Sequence, residues 1–475
     1  MGYQRAFLVG GIVGSMTSAA SAVPFASGIE ALGGGNYSFV LNESADSVVI
    51  NRTGDTPVVF NAPTAGTYNF SLGSGSAFQI SAVKDAAPGW VRTSTDASNN
   101  AFFIPRGVAV NNNPSEGGSF NPYFGRVYVS ESRGGTTTVG GAGLTRTTTD
   151  GIYVYNAALA DAVGQGNTGR TGGMTFGGGT DSASPFRVHV GPDNSVYVTD
   201  WSDPNSNLWQ TNPNVTASTA VLDSTGRSAA GLNATHGSIS DVIVTGTGVN
   251  RRIYTTDEDF DGLNARRGSV LRYDIGTNPT FSGAPSAITY DDSTKGDIMI
   301  NFTQSLVQAP DGTFWISQNR AAGTDKASLI QYDPTTDTVL FNSLTNLGSP
   351  DPLRGLQGIA FDPVNDYLAL ATDANQGATG KIFIFDDDTK TILATIDFGA
   401  SASGTNRDVA FDAAGNLYVV NSSAERLRVW SPGGPSTTIT GSDGSFQVIN
   451  AVPEPTSLAL LGLGGLGLMA RRRRA

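Results

Sequence analysis

The 475-residue chain has no cysteine and only two histidines, His189 and His236. Without thiols, the sequence excludes disulfide bonds, thiolate metal sites and a cysteine nucleophile. Two histidines leave little material for a zinc site or a histidine-based catalytic site, and no G-x-S-x-G element is present to carry a nucleophilic serine. We therefore predict no catalytic residue of these types.

Basic side chains are also scarce, since 29 Lys and Arg face 41 Asp and Glu, which gives a formal net charge of −12. Phosphate backbones are bound mainly by clusters of Lys and Arg, so a chain this acidic is a poor partner for them. We predict that the protein binds no nucleic acid.

Glycine is abundant, with 60 residues, and short runs of Val, Ile, Tyr and Phe alternate with Thr, Ser, Asn and Asp. This composition is typical of many short strands joined by tight turns rather than of long helices. The length allows roughly two to four domains. The predicted fold class is all-β.

The N-terminus has the order of parts that defines a secretion signal. Arg5 precedes a short apolar stretch from Ala6 to Met16, and small residues follow up to Ala22. An Ala-x-Ala sequence ending at Ala22 is the type of site that signal peptidases cleave. We predict that residues 1–22 are a signal peptide, removed by cleavage after Ala22.

The C-terminus also has three parts in a fixed order. The motif Val452, Pro453, Glu454, Pro455 precedes an apolar run from Leu458 to Ala470, and four arginines follow. As a helix this run would span about 20 Å, which is shorter than the roughly 30 Å of a bilayer core. This order resembles the PEP-CTERM sorting signal, whose family members are processed by a membrane protease called exosortase.

The resemblance implies an exported protein of a bacterium with a Gram-negative type of envelope. Residues 452–475 would tether it transiently to the inner membrane through a transmembrane helix, and an exosortase-type protease would cleave near Pro453 to Pro455. The product would reach the cell surface or an extracellular polysaccharide matrix. The terminal arginines would remain in the cytoplasm. The alternative is a simple tail anchor, which the short apolar run and the arginines also fit.

One pattern repeats over residues 100–450: a hydrophobic strand, a turn rich in Asp, Asn and Gly, a second strand ending in a polar residue, and a third strand. Six copies align at Val108, Val188, Val242, Leu306, Ile359 and Val409, with spacings of 80, 54, 64, 53 and 50 residues. A unit of about 50 residues has the size of one propeller blade. The long first spacing contains Gly- and Thr-rich residues 134–149, which predicts an insertion or one undetected blade.

Residues 190–200, Val-Gly-Pro-Asp-Asn-Ser-Val-Tyr-Val-Thr-Asp, and residues 410–421, Ala-Phe-Asp-Ala-Ala-Gly-Asn-Leu-Tyr-Val-Val-Asn, resemble blades of NHL-type and gluconolactonase-like propellers. We predict a six- or seven-bladed β-propeller over residues 100–450. Before it, residues 36–91 alternate apolar and polar side chains over five short segments. This alternation predicts a small β-sandwich module of immunoglobulin-like (Ig-like) type.

A local acidic motif is a candidate calcium site. Asp257, Asp259 and Asp261 precede Gly262, and this spacing matches the first half of a calcium-binding loop, because Ca²⁺ prefers six to eight oxygen ligands. The twelfth position is Gly268 instead of a bidentate Glu, which excludes an EF-hand. We predict a propeller loop that holds Ca²⁺ through the three aspartates. The alternative is a solvated acidic turn.

A polar residue also ends the second strand of each copy. We call these six residues the strand-end ring: Glu131, Asp200, Asp257, Gln318, Asp373 and Asn421. The gluconolactonase-like resemblance implies a metal in the central tunnel that acts as a Lewis acid on a substrate. A repeated residue is also explained by a repeated structural need, and we favour that interpretation.

The sorting signal and the scarcity of catalytic residues favour a non-enzymatic function. We expect a binding or structural component of the cell envelope or of the polysaccharide matrix, with polysaccharide or envelope proteins as partners and Ca²⁺ as the one candidate cofactor. The alternative is a metal-dependent hydrolase or lactonase of the gluconolactonase-like type that uses the strand-end ring.

Overall fold

The structure is a computed structural model of the chain. It describes residues 23–85, 89–137, 144–164, 172–176, 184–202, 207–222, 237–257, 268–281, 283, 285–290, 303–319, 327–373, 380–398 and 405–449.

The first strands of the described chain form a two-layer sandwich. They are Ala26–Gly33 (β1), Asn36–Leu41 (β2), Ser47–Arg52 (β3), Val58–Asn61 (β4), Gly66–Ser71 (β5) and Phe78–Lys84 (β6). One sheet has the order β1-β2-β5, and in the other β6 pairs with β3, which pairs with β4. Because successive side chains point to opposite faces of a strand, alternate residues meet between the layers, where Phe39, Ile50, Phe70, Phe78 and Ile80 are buried.

The chain continues through Val91–Arg92 (β7) into the propeller, of which the described residues form six antiparallel sheets that we call blades 1 to 6. The strands of blade 1 and its two short ribbons are Pro105–Val110 (β8), Ser115–Glu116 (β9), Ser119–Phe120 (β10), Val127–Glu131 (β11), Gly135–Thr136 (β12), Thr147–Thr148 (β13) and Gly151–Tyr155 (β14). The blade itself has the order β14-β11-β8. The Gly- and Thr-rich stretch therefore contributes the ribbon β12–β13, an insertion between β11 and β14.

Blades 2 to 4 each contain four described strands in simple sequence order. Blade 2 consists of Val188–Val190 (β15), Val196–Thr199 (β16), Leu208–Thr211 (β17) and Ser218–Leu222 (β18). Blade 3 consists of Ile239–Thr245 (β19), Arg252–Asp257 (β20), Ser269–Asp274 (β21) and Ser286–Tyr290 (β22). Blade 4 consists of Thr303–Gln308 (β23), Phe314–Gln318 (β24), Leu329–Asp333 (β25) and Thr338–Asn342 (β26).

Blades 5 and 6 complete the set, and two strands follow them. Blade 5 consists of Leu356–Phe361 (β27), Tyr367–Thr372 (β28), Ile382–Asp386 (β29) and Thr391–Ile396 (β30). Blade 6 contains Asn406–Phe411 (β31), Leu417–Asn421 (β32) and Arg426–Ser431 (β33). The last described strands are Ser436–Gly441 (β34) and Phe446–Ile449 (β35).

The inner strands of the blades contact one another in a closed ring, in the order β8, β15, β19, β23, β27, β31 and back to β8. All six positions that align the sequence repeat lie in these strands. The predicted all-β propeller is therefore confirmed. Helix is confined to short pieces in the described chain, Ser343–Leu347 (α1) and the 3₁₀ turns Ser98–Asn100 and Gly248–Asn250. No described helix has the length and apolar character needed to cross a membrane.

In four blades, the same type of side-chain hydrogen bond stabilises the turn between the first two strands. Asp412 accepts hydrogen bonds from the backbone N–H groups of Ala414 and Asn416, both at 2.9 Å, which fixes the turn between β31 and β32. An aspartate bonds the N–H two residues further on in three other blades, at Asp193, Asp311 and Asp362. Such side-chain bonds stabilise turns that Gly and Asn can complete, so they explain the recurring acidic turn of the sequence.

Two segments pair with strands of the other domain, which differs from the predicted domain boundaries. Strand β7 pairs with β33 as the outer strand of blade 6. Strand β34 pairs with β6 along its full length, and β35 follows it, so residues 436–449 extend the second sheet of the sandwich rather than the propeller. Alternation along a strand indicates which side chains face inward, but it does not identify the neighbouring strand.

Candidate functional site

The strand-end ring is buried, and its side chains bind the loops next to them. Glu131 accepts hydrogen bonds from the backbone N–H groups of Phe103 and Ile104, both at 2.7 Å. Burial raises the pKa of Glu131 to about 7, although these bonds oppose the rise. Asp373 accepts a hydrogen bond from the amide of Gln357 at 2.8 Å. Both carboxyls therefore hold neighbouring segments of the chain in place through hydrogen bonds.

The other ring members behave similarly within the described chain. Asn421 accepts backbone hydrogen bonds from Ser423 and Ala424 at 2.9 and 2.7 Å. Asp200 accepts one from the backbone of Ser202 at 2.9 Å, and Asp257 accepts one from Gly237 at 2.6 Å. Gln318 donates to the carbonyl of Ala327 at 2.9 Å. These contacts bind polar side chains at equivalent points of different blades to nearby backbone groups, and they support the structural interpretation of the ring.

A second set of residues, which sequence analysis missed, lies at the centre of the propeller. They directly precede the six aligned positions and form what we call the central ring: Gly107, Arg187, Asp241, Ser305, Gly358 and Asp408. Asp408 accepts a hydrogen bond from the backbone of Val108 at 2.9 Å, which joins blade 6 to blade 1. Asp241 joins blade 3 to blade 4 through the backbone N–H of Leu306 at 3.0 Å.

The guanidinium of Arg187 crosses the middle of this ring. Its Nη1 lies 3.3 Å from Oδ1 of Asp408 and donates to the carbonyls of Arg106 and Arg407 at 2.6 and 2.5 Å. Its Nε and Nη2 have no hydrogen-bond partner among the described residues. Blades 1, 2 and 6 are therefore tied together by one buried cation.

Burial dominates the electrostatics of the central carboxyls. It raises the pKa of Asp408 to about 7, while Arg187 acts to lower that pKa and Asp241 acts to raise it. Burial also raises the pKa of Asp241, again opposed by Arg187. Charged groups out of water need a countercharge or hydrogen bonds, and Arg187 supplies the countercharge for both aspartates.

The small members of the central ring make room for the charged ones. A Cβ on Gly358 would lie 2.6 Å from Cα of Asp408, and a Cβ on Gly107 would lie 2.9 Å from Cα of Arg187. Both distances are too short for a side chain, so glycine is required by close backbone approach. Aligning the six copies one residue upstream of the apolar position would have revealed this pattern of glycine, serine and charge.

Of the three aspartates in the predicted calcium loop, the structure describes only the first. Asp257 is the last residue of β20, and its carboxyl accepts a hydrogen bond from the backbone N–H of Gly237. Asp259 and Asp261 lie outside the described residues. In the described part of the chain, no group of three or more His, Cys, Asp or Glu side chains is placed to hold a metal. His189 is half-buried, desolvation of its ring lowers its pKa to about 4, and its Nε2 accepts a hydrogen bond from the backbone N–H of Val244 at 3.2 Å.

Another candidate site is a cleft of about 330 Å³ at the junction of sandwich and propeller. Its walls come from the loop after β2, from residues 93–100, and from blades 1 and 6, and they include Glu43, Ser44, Thr95, Asn99, Leu159 and Tyr418. Ligand sites often lie at domain junctions and span about 300–1,000 Å³. Sequence analysis could not detect this cleft, because its walls are up to several hundred residues apart in the chain.

Among the described residues, Glu43 is the one carboxyl that lines the cleft. Burial, followed by the nearby charge of Asp412, raises its pKa to about 8. Oε1 of Glu43 lies 3.4 Å from the hydroxyl of Ser431, and Thr93 also bonds the carboxyl. The hydroxyl and amide side chains around it are uncharged, so the cleft offers a neutral polar surface with hydrogen-bond donors and acceptors.

The predicted processing residues lie at the two ends of the chain. Ala22 and the motif Val452, Pro453, Glu454, Pro455 are outside the described residues, as is the apolar run from Leu458 to Ala470. Residues 451–474 match the family model of the PEP-CTERM protein-sorting motif. The tail is therefore a PEP-CTERM sorting motif, which implies export, surface sorting and processing by exosortase-type machinery in bacteria with a Gram-negative envelope.

Solved structures similar to this chain are propellers of several kinds. The WD40 β-propeller domain of Doa1 is 13% identical, with 73% of this chain and 97% of that chain covered and a TM-score of 0.41. A gluconolactonase from Xanthomonas campestris is 14% identical, with 76% and 90% covered and a TM-score of 0.42. Virginiamycin B lyase from Staphylococcus aureus is 11% identical, with 76% and 88% covered and a TM-score of 0.36. No curated protein matches the sequence.

Proposed function

We propose that the protein is a surface-sorted binding component of the extracellular polysaccharide matrix, and that it binds polysaccharide in the cleft between sandwich and propeller. In this proposal, residues 458–470 hold the exported chain in the inner membrane for a time, and an exosortase-type protease releases it. The sorting motif at residues 451–474 supports the destination. The observation that carries the proposal is the neutral polar cleft at the domain junction.

The chemistry of the cleft suits sugar hydroxyl groups. Ser44, Thr95 and Asn99 present hydroxyl and amide groups, which can both donate and accept hydrogen bonds. Glu43 can accept a hydrogen bond in either protonation state, and the half-buried Ala158 and Leu159 add apolar surface. Sites for uncharged polar ligands combine such groups, because each buried ligand hydroxyl needs a partner.

Cosedimentation of the exported protein with matrix polysaccharide from the producing bacterium tests the proposal. Ser44→Trp places a large side chain at the exposed rim of the cleft and should weaken binding at least about tenfold, equivalent to roughly 1.4 kcal/mol. Ser76→Trp is the matched control, since Ser76 is also exposed on the sandwich but does not line the cleft. Equal binding by both variants would show that the cleft is not the site, and failure of the unmodified protein to bind would refute the proposed function.

The hydrolase alternative makes a separate prediction. Saturable turnover of a lactone or sugar ester, lost with a chelator and lost again in Asp200→Ala or Asp373→Ala, would favour an enzyme over a binding protein. The structure supports the binding proposal here, because the carboxyls of Asp200 and Asp373 already hold neighbouring groups in place.

A further inference from the structure

Val23 is held in a polar site between the sandwich and blade 6. Its backbone nitrogen lies 3.2 Å from Oδ1 of Asn416 and 3.2 Å from the hydroxyl of Ser431. Its carbonyl accepts hydrogen bonds from the amides of Asn416 and Asn42 at 3.0 and 3.2 Å. The residue is 3% exposed. Side chains of both domains therefore hold the backbone of Val23 through hydrogen bonds.

The site has more acceptors than an amide nitrogen can use. A peptide nitrogen carries one hydrogen, yet two oxygens lie at bonding distance from that of Val23. The hydroxyl of Ser431 also lies 3.4 Å from the carboxyl of Glu43, and the amide of Asn416 donates to the carboxyl of Asp412 at 2.9 Å. An ammonium group carries three hydrogens and a positive charge. It could donate to both oxygens at once, and its charge would offset the two carboxyls behind them.

The surroundings of these carboxyls contain little positive charge. Among the described groups that act on Glu43, the one cation is Lys84, whose effect is the weakest and whose Nζ lies 3.3 Å from Asp46. Burial, with a smaller contribution from the charge of Asp362, raises the pKa of Asp412 to about 7. Tyr418 also faces Asp412, with 3.4 Å between the hydroxyl and Oδ2. Within the described chain, the buried carboxyl of Asp412 and the half-buried carboxyl of Glu43 thus lack an adjacent cation.

We propose that this site is built for the α-ammonium group of Val23, created when the chain is cut between Ala22 and Val23. A signal-peptidase-type enzyme would add water across this peptide bond, which leaves a carboxylate on Ala22 and an ammonium on Val23. The new cation would bond Asn416 and Ser431 and neutralise the carboxyls of Glu43 and Asp412. Removal of the signal peptide would thereby lock the sandwich onto blade 6.

Two forms of the mature chain test this proposal. One begins at Val23 after release from a carrier by a protease that leaves no extra residue, and the other begins at Ala22. The contacts above belong to an amide nitrogen at Val23, so one preceding residue is not sterically excluded. We expect a higher melting temperature at pH 7 for the Val23 form. Its folded α-amine should also react with an acylating reagent at least about tenfold more slowly than in the denatured chain.

Charge variants separate this effect from simple chain length. Glu43→Gln and Asp412→Asn should shrink the difference in melting temperature between the two forms. Asp55→Asn, at a partly exposed carboxyl of the sandwich that pairs with Arg52, should leave the difference unchanged. Equal melting temperatures together with an α-amine as reactive as in the denatured chain would overturn the proposal. An exported protein whose first residue, determined by mass spectrometry, is not Val23 would overturn it without any variant.

Discussion

The sandwich has an aromatic core, whereas a buried cation and two carboxyls occupy the centre of the propeller. In the sandwich, the ring of Phe39 stacks on Tyr68 at 5.6 Å and Phe70 meets Phe78 edge-on at 5.0 Å. In the propeller, Arg187 contacts Asp408 within a ring of inter-blade hydrogen bonds. The sandwich is held mainly by apolar burial, whereas the propeller combines apolar packing between its blades with specific polar contacts at its centre.

The difference affects how each region responds to substitution. Apolar cores tolerate changes of side chain that keep the volume, because burial is not directional. Buried polar groups require partners at defined positions, and an unpaired one costs free energy. A blade is fixed to its neighbour where a carboxyl meets a backbone N–H group, as Asp241 meets Leu306. The propeller centre should therefore be the less tolerant of the two regions.

The largest expected effect is that of Arg187→Met, which keeps much of the side-chain volume but removes the central cation. Asp408 and Asp241 would remain buried without a countercharge, and removing one partner of a buried ion pair costs about 3–5 kcal/mol. The free energy of unfolding, measured with denaturant at pH 8, should fall by this amount. The loss should be smaller at pH 5, because the raised pKa of Asp408 lets the carboxyl take up a proton there.

Arg252→Met is the matched control for this prediction. Arg252 pairs with Asp274 at 3.1 Å, but its side chain is 55% exposed. Exposed pairs contribute about 0–1 kcal/mol, so this variant should unfold almost like the unmodified protein. If Arg187→Met were as stable as Arg252→Met, the centre of the propeller would not depend on its charge, and the contrast between the two regions would disappear.

The next effect concerns the sandwich. Ile80 lies in the middle of β6, between β3 and β34, and its side chain is fully buried. Ile80→Ala should lower the free energy of unfolding by about 2–5 kcal/mol through lost burial and the cavity left behind. Val59→Ala, on the exposed edge strand β4 of the same sheet, should cost much less, since Val59 is 52% exposed. Equal losses measured by chemical denaturation would contradict a core centred on β6.

The sequence was sufficient to predict the strands and the repeat, because both depend on local alternation and on spacing. Val108 and Val409, aligned from sequence, occupy equivalent places in β8 and β31. The partners at the chain ends were not predictable. Thr438 pairs with Ala82 in the sandwich although more than 300 residues separate them, and nothing in the local sequence of β34 distinguishes this partner from another blade.

The candidate sites differ in the same way, since one depends on the sequence repeat and the other on contacts between distant segments. The central ring was accessible from sequence, because Arg187 and Asp408 occupy the same position in two aligned copies. The cleft was not, since Glu43, Asn99 and Tyr418 meet only after the sandwich packs on the propeller. The calcium interpretation of Asp257, Asp259 and Asp261 stays a prediction, with two of the three residues outside the described part of the chain.

The smallest expected effect is a dependence of stability on pH that differs between the regions. Burial raises the pKa of Glu131 in the propeller to about 7, from an ordinary value of 4.5. The folded state therefore binds a proton more tightly than the unfolded state between these values. The contribution of Glu131 to the free energy of unfolding is therefore full below about pH 4.5. It is lost as the pH rises towards 7, with a slope of at most about 1.4 kcal/mol per pH unit.

Glu131→Gln should flatten this dependence, because an amide does not titrate in this range. Asp46 of the sandwich is the contrasting carboxyl, since a hydrogen bond from the backbone of Asp85 holds its pKa below the ordinary value of 3.8. Its contribution is present above that value and is lost only as the pH falls below it, so Asp46→Asn should leave the slope between pH 5 and 7 unchanged. Denaturant unfolding at several pH values measures both slopes. A Glu131→Gln slope equal to that of the unmodified protein would show that the buried carboxyl of blade 1 is ionised throughout this range, and the electrostatic contrast between propeller and sandwich would then rest on the central ring alone.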